Sequence, residues 1–181
     1  MALEPGDKAL YESDVAFVGT AYPERVLFLE KLADFKLALW GPGWDRLPRG
    51  HKLRPFVRGG SLRTEEWLKA FSAAKVSLNL IQSFGSSLRD DQVTMANSRC
   101  FELLGCGAFQ LVDAKRDIRT LFKSGRELVW FSSAGEAAES MRHYLAHDEE
   151  RRSVGTRARE AALASHTYRD RLTELLRACG K

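Results

Sequence analysis

Short apolar runs alternate along this chain with longer stretches in which apolar residues recur every three or four positions. The short runs predict buried strands, and the amphipathic stretches predict helices. The predicted strands occupy residues 14–19, 36–40, 53–57, 76–81, 108–112 and 128–131. The predicted helices occupy residues 23–33, 64–74, 98–104, 115–122, 133–146 and 148–177, the last with a candidate break near residues 165–166. Pro55 limits the third strand to a sheet edge or a strand end, because proline cannot donate to the ladder.

This alternation predicts an α/β fold, with a parallel sheet and helices on both of its faces. Ligands of such sheets bind beyond the carboxyl ends of the strands, where the strand order reverses. The candidate loops therefore follow Val18, Trp40, Val57 and Ile81, and a further one precedes Arg99. The loop predicted over residues 83–94 is long for such a domain, which favours a functional role.

Length and composition fit one globular domain. The chain has 181 residues, and domains average about 150; we place the domain at residues 14–181, after an extension over residues 1–13. No apolar run reaches the roughly 18–20 residues of a membrane span, and the start lacks a signal-peptide pattern. We therefore expect a cytoplasmic protein. The three cysteines match no zinc spacing, which argues against a disulfide framework or a structural metal.

One segment of the chain is strongly basic. The formal net charge is only +4, but residues 46–63 contain six basic side chains and no acidic one. This asymmetry indicates an anionic partner. Among anionic partners nucleic acid is the least favoured, since no nucleic-acid-binding motif accompanies the basic side chains.

The turn after the first predicted strand is a candidate phosphate site. Gly19 at the strand end allows a ligand to approach the backbone, and the N-terminus of the next helix attracts anions. Arg25 offers a charged fork for a diphosphate. An ordinary turn with a solvated arginine explains the same residues equally well, because the three-glycine dinucleotide fingerprint is absent.

A second candidate is the helix that begins after the long loop. Arg99 and Glu102 lie three residues apart, and so on one helical face near its positive end. The arginine could meet a phosphate and the carboxylate could accept two ribose hydroxyls. A surface ion pair, with Gly105 and Gly107 ending the helix, is the alternative.

Other patterns are weaker. The segment Gly41–Gly43 favours a tight turn over a phosphate-binding loop, because Pro42 removes an amide donor. Asp90 and Asp91 are adjacent acids in a polar loop and are more simply solvated than bound to a cation. His143 and His147 have the i, i+4 spacing of zinc ligands, but the sequence shows no third ligand.

Several segments together resemble the CgeB-type glycosyltransferases, which are spore-maturation-protein-like relatives of the GT-B enzymes. The segments are residues 17–25, 39–44, 77–80, 99–107 and 166–171. The resemblance runs from about residue 14 to about residue 176, and it rests on the order and spacing of the segments rather than on any single one.

The resemblance implies a Rossmann-like domain, the C-terminal half of a GT-B fold. That half holds a nucleotide-diphosphate sugar, while an N-terminal acceptor-binding domain or partner chain usually supplies the catalytic base. Residues 1–13 then resemble an interdomain linker. Neither a cofactor nor a metal is expected, because helix dipoles and basic side chains neutralise the leaving diphosphate.

The resemblance also implies residue roles. Glu102 holds the ribose, and Phe56 and Val57, in the loop region after the third strand, lie near the base. The residues that face or flank the phosphates are Gly19, Thr20, Arg25, Asn97, Arg99 and Gly105.

Thr94 departs from the pattern, since many relatives have a sugar-contacting glutamate eight residues before the ribose glutamate. This leaves open whether the chain turns over a donor. The alternative is a non-catalytic module with a degenerate donor site, used for partner binding or assembly. No general base can be named within the chain itself.

Overall fold

The computed structural model describes residues 3–81 and 94–180, and its centre is a parallel sheet. The strands in these residues are β1 (Ser13–Val18), β2 (Leu37–Trp40), β3 (Val57–Gly59), β4 (Ala74–Asn79), β5 (Gln110–Asp113) and β6 (Val129–Phe131). They lie in the order β3-β2-β1-β4-β5-β6, and every neighbouring pair is parallel. This is the sheet order of the Rossmann-like fold.

Helices cover both faces of the sheet. They are α1 (Pro5–Tyr11), α2 (Pro23–Glu30), α3 (Thr64–Ala73), α4 (Ser98–Cys106), α5 (Arg116–Leu121), α6 (Ala134–Ala146), α7 (Asp148–Ser165) and α8 (Tyr168–Ala178). Two short 3₁₀ turns, Trp44–Arg46 and Arg54–Phe56, lie between β2 and β3. The predicted α/β architecture is thus confirmed.

The core follows the alternation of side chains along the central strands. Val15 and Phe17 of β1 face a cluster that includes Leu29 of α2 and Met141 of α6. Ala16, between them, faces the opposite cluster with α3 and α4. Strands buried on both faces need apolar residues at every position, which is why their sequence reads as continuous apolar runs. No helix in residues 3–81 and 94–180 is both long and apolar enough to cross a bilayer.

The prediction for the third strand was wrong in position. Residues 54–56 form a 3₁₀ turn around Pro55, and the strand begins only at Val57. The strand does lie at the sheet edge, as proline required. Because of this shift Phe56 ends the 3₁₀ turn and Val57 begins β3, so neither residue lies in a loop after the strand.

Two other segments differ from the expectation. The extension expected over residues 1–13 contains α1, which packs on α3 with Lys69 Nζ 2.9 Å from Asp7 Oδ1; its role as a linker stays a prediction. Gly105 lies inside α4 and only Gly107, at φ 69°, ends that helix. The predicted loop over residues 83–94 lies outside the described residues except for Thr94, and so do Asp90 and Asp91.

Helices α4 and α7 cross in close contact at two glycines. A Cβ atom added at Gly155 in α7 would lie 2.5 Å from the carbonyl oxygen of Gly107, at the end of α4. The glycine pair therefore sets how closely α7 approaches α4.

Replacing Gly155 with alanine should lower the free energy of unfolding by about 2 kcal/mol. Overpacking against rigid backbone costs up to about 3 kcal/mol, and the better helix propensity of alanine returns about 1 kcal/mol. Urea denaturation measures the difference. The matched control is Gly135→Ala in α6, where a Cβ meets only the Ser133 hydroxyl at 3.7 Å. If Gly155→Ala and Gly135→Ala have the same free energy of unfolding, the glycine contact does not set the helix crossing.

Candidate functional site

The sheet reverses its order beside β1. The chain leaves β1 towards β2 on one side, and β4 pairs with β1 on the other side. The connections that follow β1 and β4 therefore diverge, and they leave a crevice at the carboxyl edge of the sheet.

A cavity of about 540 Å³ occupies this edge. Its walls are the end of β1 with the following turn, the end of β4, and the first turn of α4. The lining residues are Phe17, Val18, Gly19, Thr20, Tyr22, Arg25, Leu78, Asn79, Leu80, Ile81, Met95, Ala96, Asn97, Ser98 and Arg99. Its size is that of an ordinary small-molecule site.

The turn after β1 is held in place by the turn after β2. The Gly19 amide donates to the Trp40 carbonyl at 2.8 Å, and the Gly19 carbonyl accepts from the Trp44 indole, also at 2.8 Å. Gly41 adopts φ +136°, and a Cβ atom there would overlap the Gly19 carbonyl oxygen. The predicted tight turn at Gly41–Gly43 is confirmed, and it supports the cavity wall.

Arg25 ties the two sides of the crevice together. Its Nη1 donates to the Thr20 carbonyl at 3.2 Å, and its Nη2 donates to the Leu80 carbonyl at 2.9 Å. The guanidinium carbon lies 5.4 Å from the ring centres of both Phe17 and Tyr22. Burial lowers the pKa of Arg25 from its usual value.

Arg99 is anchored in a similar way from the first turn of α4. Its Nη1 donates to the Val18 carbonyl at 2.5 Å, and its guanidinium lies over Trp67 at 4.8 Å and Phe71 at 5.4 Å. Burial lowers its pKa, and the nearby Glu102 carboxylate opposes that effect.

Both guanidinium groups bring positive charge to the cavity wall. Their side chains bond backbone carbonyls, and within residues 3–81 and 94–180 neither forms an ion pair. The charge of Arg99 further lowers the pKa of Arg25, while Asp113 acts in the opposite direction. An anion in the cavity would relieve this repulsion.

An amide network fixes the start of α4. The Asn79 Nδ2 donates to Asn97 Oδ1 at 3.0 Å and to Gln110 Oε1 at 2.9 Å, and Asn97 Nδ2 donates back to Asn79 Oδ1 at 3.1 Å. Asn97 Oδ1 also accepts from the Cys100 amide as the helix cap. Asn97 thus positions the helix. Sequence reasoning missed Asn79 and Gln110, although each is an amide within an apolar strand.

The cavity gathers five of the nine predicted site residues: Gly19, Thr20, Arg25, Asn97 and Arg99. The other four are outside its lining. Glu102 lies one turn further along α4, and the Gly105 carbonyl in the last turn accepts from Arg159 Nη1 at 3.0 Å. Phe56 and Val57 pack against the core cluster that contains Phe17. The donor-binding roles of all nine residues stay predictions.

Thr94 lies just before the cavity wall formed by residues 95–99. Its carbonyl accepts from the Asp117 amide at 2.9 Å, at the start of α5. Thr94, where the resemblance implies a sugar-contacting glutamate, is therefore tied to the neighbouring helix by its backbone.

A family comparison identifies the chain. The family described as glycosyl transferase-like matches residues 8–177, and the chain therefore belongs to that family. A comparison with curated proteins gives no significant sequence match.

Solved structures show the same fold at low identity. HepE of Anabaena in complex with UDP-glucose is 12% identical with a TM-score of 0.61, over 88% of this chain and 48% of HepE. Sucrose-phosphate synthase from Thermosynechococcus elongatus is 13% identical with a TM-score of 0.64, over 93% of this chain and 46% of the synthase. This chain thus spans about half the length of these two proteins.

A third solved structure is closer to this chain in length. The catalytic domain of cholesterol-α-glucosyltransferase from Helicobacter pylori is 16% identical, with a TM-score of 0.60. The match covers 83% of this chain and 96% of that domain. These likenesses show a Rossmann-like domain of the kind found in GT-B glycosyltransferases.

The Trp44→Phe variant tests the support of the cavity wall. It removes the indole donor from the Gly19 carbonyl and leaves a small void at a fully buried position. We expect the free energy of unfolding to fall by about 2 kcal/mol. The control is Trp130→Phe, because the Trp130 indole has no hydrogen bond within the described residues. This variant should lower the free energy of unfolding by only about 1 kcal/mol. Equal losses in urea denaturation would contradict the role of the indole bond.

Proposed function

We propose that the cavity binds a nucleotide-diphosphate sugar and that the chain acts as the donor-binding half of a GT-B glycosyltransferase. The observation that carries this proposal is the pair of partly buried guanidinium groups at the cavity wall. Within the described residues no carboxylate pairs with Arg25 or Arg99, so an anionic ligand is the natural partner for their charge.

The wall offers two kinds of group to a diphosphate. Arg25 and Arg99 supply positive charge on rigid anchors, and the first turn of α4 supplies amides at the positive end of a helix. Both favour the extra negative charge that the diphosphate gains as the glycosyl bond breaks. Because these groups are positioned before the reaction, they need little reorganisation in the transition state.

The comparisons support this choice of ligand. HepE, with the same fold, has been solved with UDP-glucose. On this basis Glu102 would hold the ribose, and Phe56 and Val57 would lie near the base. The closer placement among CgeB-type enzymes, and a cytoplasmic location, are parts of the same proposal.

Transfer would need an acceptor-binding half, from a further domain or a partner chain. HepE and sucrose-phosphate synthase are each about twice as long as this chain. An apolar stripe on α8 supports such a contact, because Tyr168, Leu172, Leu175 and Leu176 are between 51% and 80% exposed. The four residues recur at helical spacing and so share one face.

Calorimetric titration with UDP, GDP and TDP and their glucose conjugates tests the donor site. We expect Arg99→Gln to weaken binding of the preferred nucleotide sugar by about tenfold or more, since about 1.4 kcal/mol of charge-assisted bonding is lost. Arg99→Lys should recover only part of the affinity, because the planar fork is absent. The control is Arg58→Gln, an exposed arginine on β3. No binding of any nucleotide, or equal affinities in all variants, would contradict the proposal and favour a degenerate module.

The Glu102→Ala variant tests the ribose contact separately. Loss of two hydrogen bonds to ribose hydroxyls should weaken UDP binding by about tenfold. Inorganic pyrophosphate has no ribose, and its affinity should stay unchanged or increase as a negative charge near Arg99 is removed. Equal effects on UDP and pyrophosphate would show that Glu102 acts only through the charge of the site.

A further inference from the structure

Three side chains able to bind a metal ion meet at the junction of α6 and α7. They are His143 in the last turn of α6, His147 at the junction, and Glu150 in the first turn of α7. One ligand atom from each lies within 4.8 Å of the others, and all three residues are exposed. The third ligand that the sequence did not show is therefore Glu150.

The helix break explains the convergence. His143 and His147 are four residues apart and lie one above the other, with stacked rings whose centres are 4.2 Å apart. The chain then turns at His147 into α7, which brings Glu150 Oε2 to 2.7 Å from His143 Nε2.

The imidazole of His147 already has the tautomer that metal binding through Nε2 requires. His147 Nδ1 lies 2.7 Å from the His143 carbonyl oxygen, and that oxygen can only accept. Nδ1 must therefore carry the proton, which leaves the Nε2 lone pair free to coordinate. A backbone carbonyl in this second-layer position is the usual way in which proteins orient a metal-binding histidine.

The neighbouring arginines do not pair with the Glu150 carboxylate, which can therefore serve as a metal ligand. Arg151 and Arg152 both pair with Asp148, and Arg151 Nη1 also donates to the Tyr144 carbonyl at 2.6 Å. Among the described residues Glu150 has no arginine or lysine partner; its carboxylate contacts the imidazole of His143 and also interacts with the Tyr144 hydroxyl.

We propose that His143, His147 and Glu150 bind a zinc-class divalent cation. Two imidazole nitrogens and one carboxylate oxygen are ligands that Zn²⁺ accepts, with water in the fourth position. His143 must offer the ion a deprotonated ring nitrogen, so coordination through Nε2 breaks the hydrogen bond to Glu150; a neutral imidazole then carries its proton on Nδ1, whereas an imidazolium releases one proton. The bound ion cross-links the end of α6 to the start of α7.

This metal site is remote from the nucleotide cavity. Helix α6 starts just after β6, at the carboxyl edge of the sheet, and its 13 residues extend about 20 Å towards the opposite edge. Tyr144, beside the site, packs at 4.5 Å on Phe109, directly before the start of β5. The proposal therefore does not depend on the proposed donor function.

Zn²⁺ titration of the purified chain by calorimetry tests the site. We expect saturable one-to-one binding, and a thermal midpoint that rises by about 5–11 °C at a hundredfold excess over the dissociation constant. Glu150→Gln and His143→Gln should each weaken binding by about tenfold or more. The matched control, Glu149→Gln, changes the adjacent exposed carboxylate and should bind Zn²⁺ as the wild type does.

Co²⁺ absorption separates this site from binding to thiols. The proposed ligands contain no sulfur, so Co²⁺ should show no thiolate charge-transfer band, and Cys179→Ser should leave the affinity unchanged. A thiolate band, a loss of binding in Cys179→Ser, or no effect of Glu150→Gln and His143→Gln would overturn the proposal. So would a wild-type dissociation constant weaker than about 1 mM.

Discussion

The hydrogen bond from the Trp44 indole to the Gly19 carbonyl is the contact on which the cavity depends. It joins the turn after β1 to the turn after β2, and the backbone at Gly41 comes so close that no side chain fits between them. This contact fixes the direction of the chain beyond β1, and with it the place of Thr20 and Arg25. Together with the bond from the Gly19 amide to the Trp40 carbonyl, it holds the first wall of the cavity at the reversal of the sheet.

The second wall is held by neutral amides instead. Asn79 bonds both Asn97 and Gln110 where β4, β5 and α4 meet, so the start of α4 cannot rotate without breaking several hydrogen bonds. Arg25 and Arg99 then cross between the walls through backbone carbonyls. The charges are consequently fixed by the fold before any ligand arrives, which lowers the cost of ordering them on binding.

The strands, the helices and the parallel sheet could be predicted from the sequence, because burial of the strands on both faces produces continuous apolar runs. It also singles out Gly19, Arg25 and Arg99, since glycine at a strand end and arginine near a helix start have a direct chemical meaning. It could not show that Asn79 meets Asn97, because that contact depends on how α4 docks on the sheet.

Two errors have the same origin. The start of β3 was misplaced because Pro55 ends one local conformation and starts another, and an apolar run does not show where the change occurs. Glu150 escaped notice as a partner of His143 because the helix break at His147 determines its direction. Contacts across breaks and between elements are set by tertiary geometry, which periodicity alone does not encode.

The edges of the sheet bear on how the protein behaves at high concentration. Both outer strands, β3 and β6, are only three residues long, and the β3 edge has the exposed cation Arg58 at its centre. An outer strand presents unpaired peptide groups to which another chain can add, and short or charged edges resist such addition. The sheet is therefore protected at both margins against growth into aggregates, independently of any ligand.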